Sequence, residues 1–165
     1  YWRASLFDTA ETEAVPRQLA MLDWLAGNLP PDTNDPPAVC MGDARIVNCL
    51  IVGVEARALI DFEVAYVGNP AADIGYSLFT SGSQRENVPS PLPGIPSDDE
   101  TWERWSAATG RSIDRRDYWT AFGAMILAIT ATRAMIQWGL AGPGIESVNP
   151  VVGSWEATVE RAAGA

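Results

Sequence analysis

Apolar residues recur along the chain at helical spacing in four stretches, and each stretch predicts a helix. In residues 16–28, Leu19, Leu22 and Leu25 form one apolar face, and Pro16 suits a first helical turn. A glycine and a proline follow this face and end the helix. By the same reasoning we predict helices over residues 98–109, 115–140 and 149–163, and Pro70, which ends a turn signal, predicts a further helix over residues 70–79.

Shorter apolar runs in the middle of the chain predict three strands, over residues 38–41, 48–52 and 57–60. A glycine-containing turn at residues 53–56 separates the last two runs, so we expect them to pair as an antiparallel hairpin. The pattern therefore predicts an α+β fold that is mainly helical, with a small β-hairpin set into the helical body.

Polar residues next to the predicted helices support their boundaries. Ser97 can cap the helix that follows it, because Glu100 stands at the capping-box position and Gly110 can end the helix. Asp114 can cap the long helix, and Asn149 can cap the last helix, where a proline takes the first position.

Composition indicates one globular domain. The chain has 165 residues, of which 47% are apolar, and this is enough for a sizeable core. Residues 81–97 are rich in Pro, Ser and Gly and predict a long loop, which is the best internal break. We therefore treat residues 1–165 as a single domain that carries this loop.

Charge argues against two classes of partner. The chain has 11 basic and 21 acidic residues, for a net charge of −10, which disfavours nucleic acid and anionic membranes. The apolar stretch at residues 118–132 is short for a membrane span and is closely bounded by arginines. We expect it to form a central buried helix.

The absence of lysine and histidine from this chain removes several mechanisms. A histidine base, a histidine metal ligand, a Ser-His-Asp triad and a P-loop lysine are all excluded within it. Cys40 and Cys49 do not make a disulfide framework, and each lies in or beside an apolar run. We expect both to be buried free thiols, which is simplest to reconcile with a cytoplasmic location.

Polar groups cluster where the central apolar runs end. Asp43 follows the first run, Asn48 begins the second and Asp61 ends the third. A hairpin brings the start of its first strand beside the end of its second, so we expect these side chains to converge. An amide oxygen and a carboxylate are suitable ligands for Mg²⁺, and a carboxylate that does not bind the metal can orient a substrate hydroxyl. Arg45 can supply positive charge to a phosphoryl group in transfer. The same residue types are common in turns, so a purely structural role stays open.

Three linked segments carry a resemblance to a known family. The first is Met41-Gly42-Asp43-Ala44-Arg45-Ile46-Val47-Asn48, followed by Asp61-Phe62-Glu63 and by Gly68-Asn69-Pro70-Ala71-Ala72-Asp73-Ile74-Gly75. They resemble the H-G-D-x-x-x-x-N loop, the D-[FWY]-E segment and the G-[DN]-P-x-x-D-[LI]-[AG] segment of the aminoglycoside phosphotransferase/choline kinase-like family, which is related to protein kinases. The chain is most similar to a subgroup found in actinobacterial phosphotransferases and fused to some acyl-CoA dehydrogenases.

The resemblance implies a kinase that uses Mg²⁺ and ATP and transfers the γ-phosphoryl group to a hydroxyl of a small molecule. Asp43 would be the catalytic aspartate, and Arg45 would contact a phosphate. Asn48 and Asp61 would hold Mg²⁺ on the nucleotide. The implied partners are therefore a nucleotide and a small hydroxyl-bearing acceptor.

Supporting roles are implied for three further residues. Asp73 would be a buried acceptor that braces the catalytic loop. Glu63 would either point toward the substrate or be a solvated loop residue. Met41 stands where the family has a histidine that supports the loop, so we expect a weakened site rather than an abolished one.

The resemblance also implies that this chain corresponds to the C-terminal lobe of a protein-kinase-like fold. The family's N-terminal lobe, with its nucleotide-covering strands and phosphate-binding lysine, has no counterpart in a chain that begins at Tyr1 and lacks lysine. We therefore expect a piece of a longer phosphotransferase. The alternative is a non-catalytic binding module that self-associates through apolar surface where that lobe would pack.

Overall fold

The computed structural model describes residues 15–31, 36–85, 93–140, 142 and 144–164. Its helices are α1 (Pro16–Gly27), α2 (Ala71–Arg85), α3 (Asp98–Thr109), α4 (Arg116–Gln137), α5 (Ile145–Val148) and α6 (Pro150–Gly164). Its strands are β1 (Ala38–Cys40), β2 (Cys49–Val52), β3 (Glu55–Leu59) and β4 (Tyr66–Gly68). The described chain is thus α+β and mainly helical, which confirms the predicted fold class.

Helix α4 is the centre of the core, and α1, α2 and α6 pack around it. Its buried residues include four consecutive ones, Gly123, Ala124, Met125 and Ile126, and so lie on several faces, because neighbours cover the helix on several sides. By length and composition alone α4 could cross a membrane, but half of its apolar window is buried within the fold. This burial agrees with the central core helix that the sequence predicts.

The strands form two separate antiparallel pairs. Strand β2 pairs with β3 as the predicted hairpin, and the register shifts between Leu50 and Ile51. Strand β1 pairs with β4, so that Val39 lies opposite Val67. The pattern does not predict β4, because three residues are too few to show an alternation. The pairing of β1 with β4 holds the segments before and after the hairpin together.

Strand boundaries differ from the prediction by one to two residues. Strand β1 ends at Cys40, and Asn48 lies in a short 3₁₀ turn (Ile46–Asn48) rather than at the start of β2. Strand β3 begins at Glu55, two residues before the predicted start at residue 57. The turn is tighter than predicted because Gly53, with φ of 65°, adopts a left-handed conformation at little cost.

Two helices are bounded as their local sequence predicts. Helix α3 begins after Ser97, whose side chain accepts from the Glu100 N–H while the Glu100 carboxylate accepts from the Ser97 N–H. It ends at Gly110, which is left-handed. Helix α6 begins after Asn149, whose Oδ1 accepts from the Val151 N–H at 3.0 Å. The predicted capping box and the predicted caps at Ser97 and Asn149 are therefore confirmed.

Other helix predictions are wrong in part. Helix α4 covers Arg116–Gln137 rather than 115–140, and Asp114 does not cap it, since Arg115 takes the cap position in a left-handed conformation. Helix α2 begins at Ala71 and continues to Arg85, so the loop prediction for residues 81–97 is wrong over residues 81–85. The rest of that prediction lies partly outside the described residues, at 86–92. The short helix α5 is not predicted.

Candidate active site

A cleft of about 330 Å³ lies between the segments around the hairpin and helix α4. Four predicted site residues line it: Asp43, Arg45, Asp61 and Glu63. Helix α4 supplies the opposite wall through Ile126, Leu127, Thr130 and Ala131. The hydroxyl of Thr130 is bonded to carbonyl oxygens of its own helix, so this wall is largely apolar. The cleft therefore places carboxylates opposite an apolar face.

The loop that carries Asp43 is fixed by Asp73. The Asp73 carboxylate accepts the Met41 N–H at 2.6 Å and the Gly42 N–H at 2.9 Å. Gly42 is left-handed, with φ of 81°, and a β-carbon there would press on the Val64 carbonyl oxygen. Only glycine suits this position. Met41 is buried, whereas Asp73 is half-buried rather than buried as predicted, although its carboxylate does accept two N–H groups of the loop.

The carboxylate of Asp43 accepts hydrogen bonds from three side chains. Tyr76 Oη donates to Oδ1 at 2.6 Å. Arg45 Nη2 donates to Oδ2 at 2.5 Å, and Asn48 Nδ2 donates to the same oxygen at 2.8 Å. Asn48 Nδ2 also donates to the Asp43 carbonyl oxygen at 3.0 Å. These bonds hold the side chain at one orientation in the cleft.

Sequence reasoning missed Tyr76. It follows directly after the last recognised segment, and a buried tyrosine on a helix is usually a core residue. The available signal was its position three residues after Asp73, because residues three apart share a helix face. A face that braces the loop through Asp73 also presents Tyr76 to that loop.

These contacts set the ionisation states in the cleft. Burial alone would raise the pKa of Asp43, but the hydrogen bonds from Arg45, Tyr76 and Asn48 bring it below its ordinary value. The hydrogen bond to Asp43 raises the pKa of Arg45. Burial, with the same aspartate, raises the pKa of Tyr76. At neutral pH, Asp43 is therefore an anion that faces a cation and a neutral phenol.

Asn48 and Asp61 lie at the base of the hairpin, as predicted. The Ile60 N–H donates to the Asn48 carbonyl oxygen at 2.9 Å, which brings Asp61 beside the loop. Asp61 is exposed, and its backbone is left-handed, with φ of 68°. Its electrostatic interaction with Arg45 contributes to the raised pKa of that arginine. Since Nδ2 of buried Asn48 is committed to Asp43, its Oδ1 is the atom left for a cation.

This donor set fits Mg²⁺ only in part. Within the described residues, no group of three His, Cys, Asp or Glu side chains could hold a metal ion. One amide oxygen and one exposed carboxylate are hard ligands that leave most of an octahedral shell to waters and phosphate oxygens. The arrangement therefore suits an ion that arrives with a nucleotide rather than a resident metal.

The two remaining predicted residues differ in their settings. Arg45 is bonded to Asp43 rather than pointing freely into the cleft, so its contact with a phosphate stays a prediction. Glu63 is exposed at the cleft, where both of its predicted roles stay open.

Known proteins resemble this chain in sequence and in fold. Over 73 residues, which are 43% of this chain, the sequence is 40% identical to acyl-CoA dehydrogenase family member 11 of Gallus gallus, and the match covers 9% of that protein. The crystal structure of a "putative aminoglycoside phosphotransferase" from Ralstonia eutropha JMP134 superposes with a TM-score of 0.70. That match covers 96% of this chain and 53% of the other, at 22% identity, and so establishes the fold.

This chain therefore spans about half of its structural neighbour and a small part of its curated relative. The residues that line the cleft lie between Gly42 and Ala131 in the sequence. The sequence model of the phosphotransferase enzyme family matches residues 2–129, which include every cleft residue on the loop and hairpin. That match covers more than half of the 165 residues, and the chain belongs to the phosphotransferase enzyme family.

Proposed function

We propose that this chain is the catalytic half of a phosphotransferase that uses Mg²⁺ and ATP and transfers the γ-phosphoryl group to a hydroxyl of a small molecule. The observation that carries the proposal is the anionic Asp43 carboxylate, held by three donors in a cleft that it shares with Asp61. Membership of the phosphotransferase family supports the same reaction class.

In the proposed reaction, Asp43 accepts a hydrogen bond from the acceptor hydroxyl. A bond forms between the hydroxyl oxygen and the γ-phosphorus, and the bond from that phosphorus to the bridging oxygen breaks. ADP leaves with the electron pair, and the hydroxyl proton passes to Asp43. Because the contacts of Asp43 lower its pKa, it acts chiefly by orienting the hydroxyl and accepts the proton late.

The remaining cleft residues would hold the nucleotide phosphates. Asn48 Oδ1 and the Asp61 carboxylate would be the protein ligands of Mg²⁺, which supplies neutralising charge to the transferred group when bound. Arg45 forms an ion pair with Asp43 and interacts electrostatically with Asp61, and its guanidinium would contact a phosphate oxygen. Glu63 would face the acceptor from the same side of the cleft.

Calorimetric titration of the chain with ATP tests the proposal. We expect binding in the presence of Mg²⁺, loss of binding with a chelator, and affinity at least about tenfold weaker in Asp61→Asn. Glu63→Gln is the matched control, since it removes an exposed carboxylate from the same cleft without removing a proposed metal ligand. The proposal for this chain would be overturned if ATP does not bind, or if its affinity is the same with a chelator and in Asp61→Asn.

A second candidate function is a non-catalytic module that self-associates. The hairpin favours it, because Leu50, Ile51, Val52 and Leu59 are at least half exposed and Val54 is 99% exposed. Exposed apolar residues in such number on one hairpin are typical of an interface. Light scattering distinguishes the candidates: a concentration-dependent dimer that Val54→Glu converts to a monomer supports self-association, and a monomeric wild type excludes it.

A further inference from the structure

The hydrogen bonds of Asp43 leave it one acceptor position. An ionised carboxylate offers about four lone-pair positions, two on each oxygen. Arg45 and Asn48 both donate to Oδ2, which fills that oxygen. Tyr76 fills one position on Oδ1. The remaining position lies on Oδ1, beside the Tyr76 hydroxyl, and both residues line the cleft.

Packing gives the Tyr76 hydroxyl little freedom to move away. The residue is 3% exposed, and its ring belongs to the main core cluster around α4. Its backbone lies against Gly123, where a β-carbon would overlap the Tyr76 N and Cα atoms. A tyrosine has only two side-chain torsions, so a fixed ring and backbone also fix Oη. The hydroxyl is thus a rigid reference point at the cleft.

We propose that Tyr76 is a positioning residue for phosphoryl transfer, which restricts the acceptor hydroxyl to the single open position on Asp43 Oδ1. This inference rests on the proposed function, because it assigns the place of the acceptor in that reaction. It goes beyond the recognised motifs, since Tyr76 lies outside all three of them.

Loss of the tyrosine hydroxyl opens a second position on Asp43 Oδ1. The acceptor hydroxyl is then no longer directed to one approach, so productive encounters become rarer. A residue that acted only in packing would not have this effect in Tyr76→Phe, which keeps the ring.

The chain offers a matched control in Tyr118. It is also 3% exposed, belongs to the same core cluster, and donates its hydroxyl to the Leu25 carbonyl oxygen at 3.3 Å. Tyr118→Phe therefore removes one buried tyrosine hydroxyl and its hydrogen bond at a distance from Asp43. Comparing the two variants separates the contact with Asp43 from the general loss of a buried hydroxyl.

The test is phosphate release from Mg-ATP with water as the probe acceptor, together with the calorimetric Kd for Mg-ATP. We expect Tyr76→Phe to lower kcat by about 10- to 100-fold, the scale of a misplaced reactant, while Kd stays unchanged. Equal rates in Tyr76→Phe and Tyr118→Phe overturn the positioning role and leave the proposed function standing. A wild type that neither binds nor turns over Mg-ATP overturns the proposed function and this role with it.

Discussion

Gly75 lies directly against the carbonyl group of Trp119, where helix α2 crosses helix α4. A β-carbon on Gly75 would overlap the Trp119 carbonyl, and one on Gly123 would overlap the backbone of the neighbouring Tyr76. The two helices can therefore approach each other backbone to backbone. This close crossing fixes the position of Tyr76 and, through it, of the Asp43 carboxylate.

Gly75→Ala should destabilise the chain. The added methyl group meets main-chain atoms that cannot rotate away, so overpacking should cost about 1–3 kcal/mol. Gly82→Ala is the control in the same helix, since no atom lies within 4 Å of its would-be β-carbon. It should gain a few tenths of a kcal/mol up to about 1 kcal/mol from helix propensity. Urea unfolding measures both, and equal effects of the two substitutions would contradict the close crossing.

Asp73→Ala should destabilise the chain and loosen the loop that carries Asp43. Two backbone N–H groups, of Met41 and Gly42, would lose their acceptor, at a cost of about 1–3 kcal/mol. Asp99→Ala is a matched control, because Asp99 also lies in the first turn of a helix but has only an exposed ion pair with Arg116. Its loss should stay below about 1 kcal/mol by urea unfolding. Similar losses in both variants would show that Asp73 contributes only its first-turn charge.

The features that the sequence predicted correctly are those with local causes. The start of α3 depends on Ser97 and Glu100, three residues apart, and its end depends on Gly110. The start of α6 depends on Asn149 and on Pro150 at the first helical position. Each signal lies within one helical turn of the boundary that it sets, so no knowledge of the tertiary structure is needed to find it.

The features that the sequence did not predict depend on distant contacts. The Tyr76 hydroxyl donates a hydrogen bond to Asp43, which lies 33 residues earlier in the sequence. The crossing of α2 with α4 brings these two residues together. Strand β4 exists because β1 pairs with it, and α2 continues to Arg85 because packing on α4 outweighs the glycine and serines near its end. The predicted cluster of Asp43, Asn48 and Asp61 was accessible because a hairpin is itself a short-range structure.

Glu146→Gln should destabilise the chain more than Glu156→Gln, although both glutamates contact Arg17. Buried Glu146 caps the start of α1, where its two oxygens accept the N–H groups of Arg17 at 3.0 Å and Gln18 at 2.6 Å. The amide in Glu146→Gln turns one acceptor into a donor that faces an N–H, at a cost of about 1–3 kcal/mol. Glu156 only pairs with the exposed Arg17 side chain, so its loss should cost less than about 1 kcal/mol. Thermal unfolding checks the order, and a larger loss in Glu156→Gln would contradict it.

The two thiols should react at very different rates. Cys40 is fully buried, and burial raises its pKa to about 11, whereas Cys49 is only half-buried, in contrast to the prediction that both are buried. At mildly alkaline pH, Cys40 is therefore both protonated and shielded. An aromatic disulfide reagent should label one thiol quickly in the folded chain and both thiols in denaturant. Cys49→Ser should abolish the fast phase, and fast labelling that survives this substitution would contradict the burial of Cys40.

Asp43 should stabilise the folded chain at neutral pH and lose that contribution in acid. Burial raises its pKa, but hydrogen bonds from Arg45, Tyr76 and Asn48 bring it below the ordinary value of 3.8, which we take for the unfolded chain. A pKa that is lower in the folded state gives stability that is complete above the unfolded value and disappears as the pH falls through the folded value.

Asp43→Asn removes this titration, and its amide must also face at least one of the three donors. The wild type should therefore be more stable than Asp43→Asn near neutral pH, and the difference should shrink as the pH falls below the ordinary carboxyl value. Urea unfolding of both chains from about pH 7 to about pH 3 gives the difference directly. A difference that stays constant over this range, or grows in acid, would mean that the hydrogen bonds of Asp43 do not depend on its charge.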